Sequence, residues 1–251
     1  MQIENTAALV TGGASGLGSA CAQALAKQGA RVVAVDLAAA NEKAERIDGV
    51  EYLEADVTCA EDIRQAVATA SSGKPLRIVI NCAGILPSQR ILSKRRVHDL
   101  ALYAKVIEVN LVGTFNVLSA ASGAIAETEP DQDGQRGVII NTASVAAFEG
   151  QIGQVAYASS KAGVVGMTLP AARDLAQYGI RVNTIAPGIV ETPMMEAVSD
   201  EIRQSLADGV PFPKRLARPD EFAQLALAII DHDYLNGETF RMDGALRMAP
   251  R

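Results

Sequence analysis

The stretch Thr11-Gly12-Gly13-Ala14-Ser15-Gly16-Leu17-Gly18 constrains the fold of this chain more than any other. An apolar run at 6–10 stops in these glycines, and an Ala-rich pattern at helical spacing follows over 19–28. Strand, glycine turn and helix in that order bring backbone N–H groups and the positive end of a helix to one point, an arrangement suited to a pyrophosphate. Gly12 permits the sharp turn, Gly16 lets a phosphate approach between Ser15 and Leu17, and Gly18 allows the helix to lie close on the strand. Gly29 closes the helix, and Arg31-Val32-Val33-Ala34-Val35-Asp36 reads as the next strand, completing a βαβ unit. Asp36 ends that strand eighteen positions after Gly18. An acidic residue there binds ribose hydroxyls and repels a 2′-phosphate, and neither Ala14 nor Leu37 offers a cation, so the pattern favours NAD over NADP.

The alternation continues. Buried-strand patterns recur at 51–53, 77–81, 138–141 and 181–185, separated by helical patterns at 62–70, 100–126 and 155–176 that are long enough to be crossovers. A helix with Pro near its start is expected over 219–230 and a final edge strand over 239–242. Residues 127–137 and 187–219 read as loops, the second with Met194, Met195, Leu206, Val210 and Phe212 among charges. That composition suits an apolar lid over 189–218 or the packing face of a short amphipathic helix. The expectation is one α/β domain over 1–251, a Rossmann-like doubly wound parallel sheet flanked by helices. Its cofactor half is about 1–145 and its catalytic and substrate half about 146–251. With 49% hydrophobic residues, 4% aromatics and no Trp, the core is expected to be Val, Ile, Leu and Ala.

Charge and cysteines exclude some classes. A net charge of −6 argues against a general nucleic-acid surface. Cys21, Cys59 and Cys82 are scattered and far from His98 and His232, so neither a disulfide nor a metal site is expected. No run is read as a membrane span and no signal peptide is seen, which places the chain in the cytoplasm. Asp56-Val57 and Asn81-Cys82-Ala83-Gly84 fall at the carboxyl ends of predicted parallel strands, the edge where such sheets bind ligands. Asp56 is placed to meet an adenine amino group. Asn81 either contacts cofactor or caps and joins neighbouring strand ends, and Cys82 reads as inert packing beside the cofactor.

Tyr157 and Lys161, with Ser144 thirteen positions before the tyrosine, read as a proton-transfer site. A phenol has a pKa near 10, so forming tyrosinate at neutral pH costs about 4 kcal/mol. A lysine at i+4 shares its helix face and lowers that cost, and Ser144 is the neutral donor to a substrate oxygen. A basic cluster at Arg90, Lys94, Arg95 and Arg96 near the expected cleft either meets anionic groups of a substrate or is solvated surface charge.

Taken together these elements resemble the short-chain dehydrogenases/reductases along essentially the whole chain. TGGASGLG at 11–18, Asp36, NCAG at 81–84, Asn110, Ser144, YxxxK at 157–161 and Pro187-Gly188 stand in that family's order and spacing. Within it, GVIINTASVAAFEGQIGQ, the EPDQDGQRG insertion before it, GMTLPAARDLA, VPFPKRL and NGETFRMDGALRM resemble the type II 3-hydroxyacyl-CoA dehydrogenases, a group that includes type 10 17β-hydroxysteroid dehydrogenase. The 90–96 loop departs from that group. The resemblance implies Tyr157 as acid/base, Lys161 lowering its pKa and holding the nicotinamide ribose, and Ser144 polarising the substrate oxygen. It also implies Asn110 holding a water behind Lys161, and Ile189, Val190 and Thr192 at the carboxamide end of NAD. The implied activity is NAD-dependent interconversion of (S)-3-hydroxyacyl-CoA and 3-ketoacyl-CoA in fatty acid metabolism. The alternatives are a hydroxysteroid or secondary-alcohol dehydrogenase, a 3-ketoacyl carrier-protein reductase, or an idle NAD sensor. A homotetramer with residues 247–251 near a subunit contact is implied as well.

Overall fold

The computed structural model describes residues 1–94, 96–195 and 199–250. In chain order the elements are β1 (Ala7–Thr11), α1 (Gly16–Lys27), β2 (Arg31–Asp36), α2 (Ala38–Asn41), β3 (Val50–Glu54), α3 (Ala60–Ala70) and β4 (Leu76–Asn81). Then come α4 (Leu100–Ile107), α5 (Gly113–Ala126), β5 (Gly137–Thr142), α6 (Ala146–Glu149), α7 (Val155–Leu175), β6 (Ile180–Pro187), α8 (Asp200–Asp208), α9 (Pro219–Asp231) and β7 (Thr239–Met242). The seven strands form one parallel sheet in the order β3-β2-β1-β4-β5-β6-β7. Order reverses between β1 and β4, so a crevice opens above their carboxyl ends, where Thr11 lies beside Asn81.

Strands buried on both faces explain the continuous apolar runs read in the sequence. One face packs on α3, α5 and α7 through Ile63, Ala66, Val117, Ala121, Ile125 and Ala172. The other packs on α1 and α9 through Cys21, Leu25, Phe222, Ile229 and Ile230. Arg181, buried at the start of β6, donates to the carbonyls of Ile229, Ile230 and Leu235 at 2.9 Å each, satisfying the free end of α9.

Three expectations change. The helix read over 100–126 is not uniformly α: Glu108–Val112 is a π-helical turn centred on Asn110. The same run, Leu100–Ala126, is long and apolar enough to cross a membrane by length and composition, contrary to the sequence reading; here its buried side packs on the sheet. The segment at 187–219 is not simply a loop. It holds a 3-10 turn, Pro193–Met195, and α8, whose first turn carries Asp200 and Glu201 in favourable register with the helix dipole. Its two ends are tied together by Glu191 N–H to Ala217 O at 2.8 Å and Ala217 N–H to Ile189 O at 3.0 Å. Arg95, Arg251, the Met194 side chain and lid residues 196–198 lie outside the described residues.

Candidate active site

The glycine turn is built as a phosphate cradle. Gly12 has φ +63°, and a Cβ there would stand 2.8 Å from the Ala83 nitrogen; one on Gly18 would stand 2.1 Å from the Gly12 oxygen. No side chain fits at either place. Ser15 caps α1 without a side-chain hydrogen bond, leaving the first-turn N–H groups of Gly16, Leu17 and Gly18 directed at the crevice. Thr192 arches over the turn, its methyl 3.4 Å from where a Gly16 Cβ would lie, so the 189–192 segment faces the cradle from across the crevice. Val190 beside it is buried. Pro187 ends β6, and Gly188 donates to Met242 O at 2.9 Å in a gap that Asp243 closes to any side chain.

The Asp36 carboxylate accepts from Ala14 N–H at 3.2 Å and Leu37 N–H at 2.9 Å, which fixes it at the mouth of the turn. These residues fit NAD(H): a turn bare of side chains for the pyrophosphate and, for the ribose hydroxyls, a carboxylate that no cation contacts among the described residues. Asp56 is turned partly to structure. Its Oδ1 takes the N–H and hydroxyl of Thr58 at 2.8 and 2.7 Å, which lowers its pKa, and the Val57 carbonyl accepts from Asn116 at 2.8 Å.

Asn81 adopts the joining role. Its Nδ2 donates to Asn141 Oδ1 at 2.9 Å, and Thr11, which contacts its Oδ1, also receives the N–H groups of Cys82 and Ala83 at 3.2 Å each. Thr11 and Asn141 thus lock three strand ends beneath the crevice, a contribution sequence reading missed because it rests on partners 60 to 72 positions apart. The Cys82 thiol accepts from Thr142 at 3.6 Å and lies against Cys21, consistent with packing. Gly84 faces Lys161: a Cβ there would be 3.6 Å from Nζ.

Ser144, Tyr157 and Lys161 converge. Ala146 N–H donates to Ser144 Oγ at 3.1 Å, so the serine hydroxyl proton is free to point outward, and Ser144 is near enough to Tyr157 to pull the phenol pKa down. Lys161 is buried, its Nζ donating to Thr142 O at 2.7 Å and standing 5.8 Å from the centre of the tyrosine ring. Burial pushes its pKa down to about 8. Burial raises the Tyr157 pKa from its ordinary value, and Ser144 pulls it back.

Asn110 is fully buried and its side chain is fully used. Oδ1 accepts from Ile85 N–H at 2.8 Å, while Nδ2 donates to Ile85 O at 2.9 Å and Ser160 Oγ at 3.1 Å. Ser160 in turn donates to Tyr157 O at 2.7 Å. The side chain is a brace, and the π turn is what swings it inward. Ser160, inside YASSK, was missed because its action passes through Asn110.

A cavity of about 500 Å³ is lined by Gln89 to Leu92 on one wall and on the other by Gly150 to Val155 with Ala158, the residue that follows Tyr157 on α7. Its first wall leads into a small hairpin. Leu92 pairs with Val97, His98 N–H reaches Ile91 O at 2.8 Å, and Ser93 bonds Arg96 on both sides of the tip. Arg90, Lys94 and Arg96 stand exposed on it, beside exposed Ile91, Leu92 and Val97.

A parallel sheet with its cradle at the switch point, and a tyrosine, lysine and serine at the adjoining strand ends, define a nucleotide-dependent oxidoreductase of one known kind. Residues 6–203 match the family model for short chain dehydrogenases. Across 99% of the chain it is 51% identical to the whole of 3-hydroxyacyl-CoA dehydrogenase type-2 of Drosophila melanogaster. Across the same share it is 49% identical to the human protein of that name, 97% of which is covered. The crystal structure of 3-hydroxyacyl-CoA dehydrogenase type-2 from Mycobacterium avium superposes with a TM-score of 0.94 at 42% identity, covering 100% of this chain and 99% of that one. The chain belongs to the short-chain dehydrogenase family and is an NAD(H)-using oxidoreductase.

Proposed function

We propose that this enzyme interconverts (S)-3-hydroxyacyl-CoA and 3-ketoacyl-CoA in fatty acid metabolism. The observation that carries the substrate is the cavity whose wall runs from Gly150 into the first turn of α7, the helix that carries Tyr157. Ile91, Leu92, Ile152 and Val155 give it walls suited to an acyl chain, and at its rim Arg90, Lys94 and Arg96, exposed among the described residues, suit the phosphates of CoA. Names of relatives at 49–51% identity support the same substrate. When bound at the glycine turn and Asp36, NAD(H) would supply or accept the hydride at the substrate's C3. Tyr157 gives its phenolic proton to the ketone oxygen in reduction and takes it back in oxidation. Ser144, its lone pair engaged by Ala146 N–H, directs its proton at the same oxygen and stabilises the charge that develops there. Lys161 holds a buried positive charge beneath both, and Asn110 with Ser160 keeps the backbone of Tyr157 in place.

Asp36 disfavours the NADPH of carrier-protein reductases, and the intact serine, tyrosine and lysine disfavour a passive sensor. The substrate test is NADH oxidation with acetoacetyl-CoA, acetoacetate and a ketosteroid compared by kcat/KM. We expect the CoA ester to exceed the other two by at least about a hundredfold, on the order of 3 kcal/mol of added transition-state binding. Equal or better use of the steroid would reassign the enzyme to hydroxysteroids. The reading further places the enzyme in the cytoplasm as a homotetramer. Three free cysteines suit a reducing compartment, and exposed Leu100, Phe115 and Leu169 on α4, α5 and α7 suit burial against other copies.

A further inference from the structure

The wall of the cavity formed by residues 150–154 has little of its own to hold it. It contains Gly150 and Gly153, the latter at φ +92°, and it bridges α6 to the start of α7, two residues before Tyr157. It is held from outside on two sides. On one, Gly153 O accepts from Gln89 N–H at 2.8 Å and from Ser88 Oγ at 3.3 Å. On the other, the end of the chain runs alongside: Ile152 N–H donates to Pro250 O at 3.0 Å and Gln151 Nε2 to Ala249 O at 2.9 Å.

That terminal strap is itself fastened at one carboxylate. Glu149 receives Arg241 through both guanidinium nitrogens, at 2.9 and 3.1 Å, the Met248 N–H at 3.1 Å, and Arg247 Nε at 3.3 Å. Arg241 also binds Asp243 at 2.7 Å and Leu246 O at 3.2 Å, and its guanidinium lies 5.3 Å from the centre of the Phe148 ring. The two-pronged pair is partly buried, about a fifth of each side chain being exposed, so it is less screened than a surface ion pair. The hydrogen bond from Arg241 and the charges of both arginines hold the Glu149 carboxyl below its usual range, so it is ionised throughout the neutral region. The last strand, the terminal strap and the cavity wall therefore meet at Glu149, one residue before that wall begins.

We infer that Glu149 is a positioning residue for substrate. Through Arg241 and the 246–250 strap it fixes the 150–154 wall against which the acyl chain lies, and it sets the KM for substrate without touching the cofactor. The inference rests on the substrate reading above. It differs from a general stabilising role because the strap contacts the cavity wall and has no hydrogen bond to the glycine turn, Asp36 or Lys161 among the described residues.

The test compares full-length Glu149→Gln, Arg241→Met and their double variant with a chain ending at Met248, which keeps the ion pairs and removes the carbonyls of Ala249 and Pro250. For each, kcat and KM for acetoacetyl-CoA and the Kd for NADH are measured, together with hydrogen exchange of the Ile152 amide. We expect KM to rise about tenfold, kcat and the NADH Kd to stay within about twofold, and Ile152 exchange to accelerate by at least about tenfold. Both singles acting through one fastening, the double variant should match the worse single. Unchanged KM in folded variants, or kcat and NADH binding falling together, overturns the inference. Should the Glu149 variants not fold, the shortened chain decides alone. If the wild type leaves acetoacetyl-CoA unreduced, the substrate reading fails, and exchange at Ile152 still decides whether the strap holds the wall.

Discussion

Tyr157→Phe is expected to lower turnover by about a thousandfold or more while leaving NADH affinity within about twofold. The substitution removes one oxygen from a partly buried ring, so packing and the α7 backbone stay in place. What disappears is the phenol whose pKa Ser144 pulls down. General acid–base groups typically contribute 10²- to 10⁴-fold, and this proton has no substitute nearby: Lys161 Nζ is committed to Thr142 O, and the serine hydroxyl is a far weaker proton source at neutral pH. The expected signature is a collapse of kcat, with NADH fluorescence titration unaltered. Turnover within tenfold of wild type would move the proton transfer to another group.

Lys161→Met is expected to make the protein inactive and more stable at once. The ammonium is buried, and its pKa falls from 10.5 to about 8 because desolvation penalises the charged form. Between those two pH values the folded chain binds fewer protons than the unfolded chain, so native stability gains as pH rises from about 8 towards 10.5. Below about 8 the whole penalty remains. Methionine removes it at the cost of the hydrogen bond to Thr142 O, worth about 1 kcal/mol. At pH 7 the variant should therefore unfold at higher denaturant, gaining about 1–2 kcal/mol, and the gap should narrow as pH climbs through that window. Turnover should fall at least about a hundredfold, because the positive charge that favours tyrosinate is gone. A variant less stable than wild type at pH 7 would mean that the buried charge is better compensated than the geometry shows.

The strands of this fold were legible to within a residue or two because α/β chains write them twice, as apolar runs and as the turns that bound them. The proton-transfer trio was legible for a related reason: Tyr157 and Lys161 share one helix face, and their chemistry is unusual enough to stand out. What escaped depends on contacts between distant residues. Nothing local distinguishes Glu108–Val112 from the α-helix on either side, since the π turn is tied to Asn110 reaching Ile85 and Ser160. The clamp of Glu149 on Arg241 is likewise set by tertiary partners, 92 positions apart. The helix Asp200–Asp208 falls in a stretch, 187–219, read as loop because prolines punctuate it, with a short amphipathic helix as the alternative; its acidic first turn is a helix-start signal that favours the latter. The i+4 spacing of Tyr157 and Lys161 says nothing of burial, which in the folded chain raises the Tyr157 pKa.

The account stands on hydride reaching C3 of a CoA-bound ketone while Tyr157 protonates its oxygen. Reduction of acetoacetyl-CoA with NADH carrying deuterium at the transferable position tests this most directly, by mass and chiral analysis of the product. The expected product is (S)-3-hydroxybutyryl-CoA with one deuterium at C3 for each NADH oxidised. A product without deuterium at C3, or of the R configuration, would contradict it.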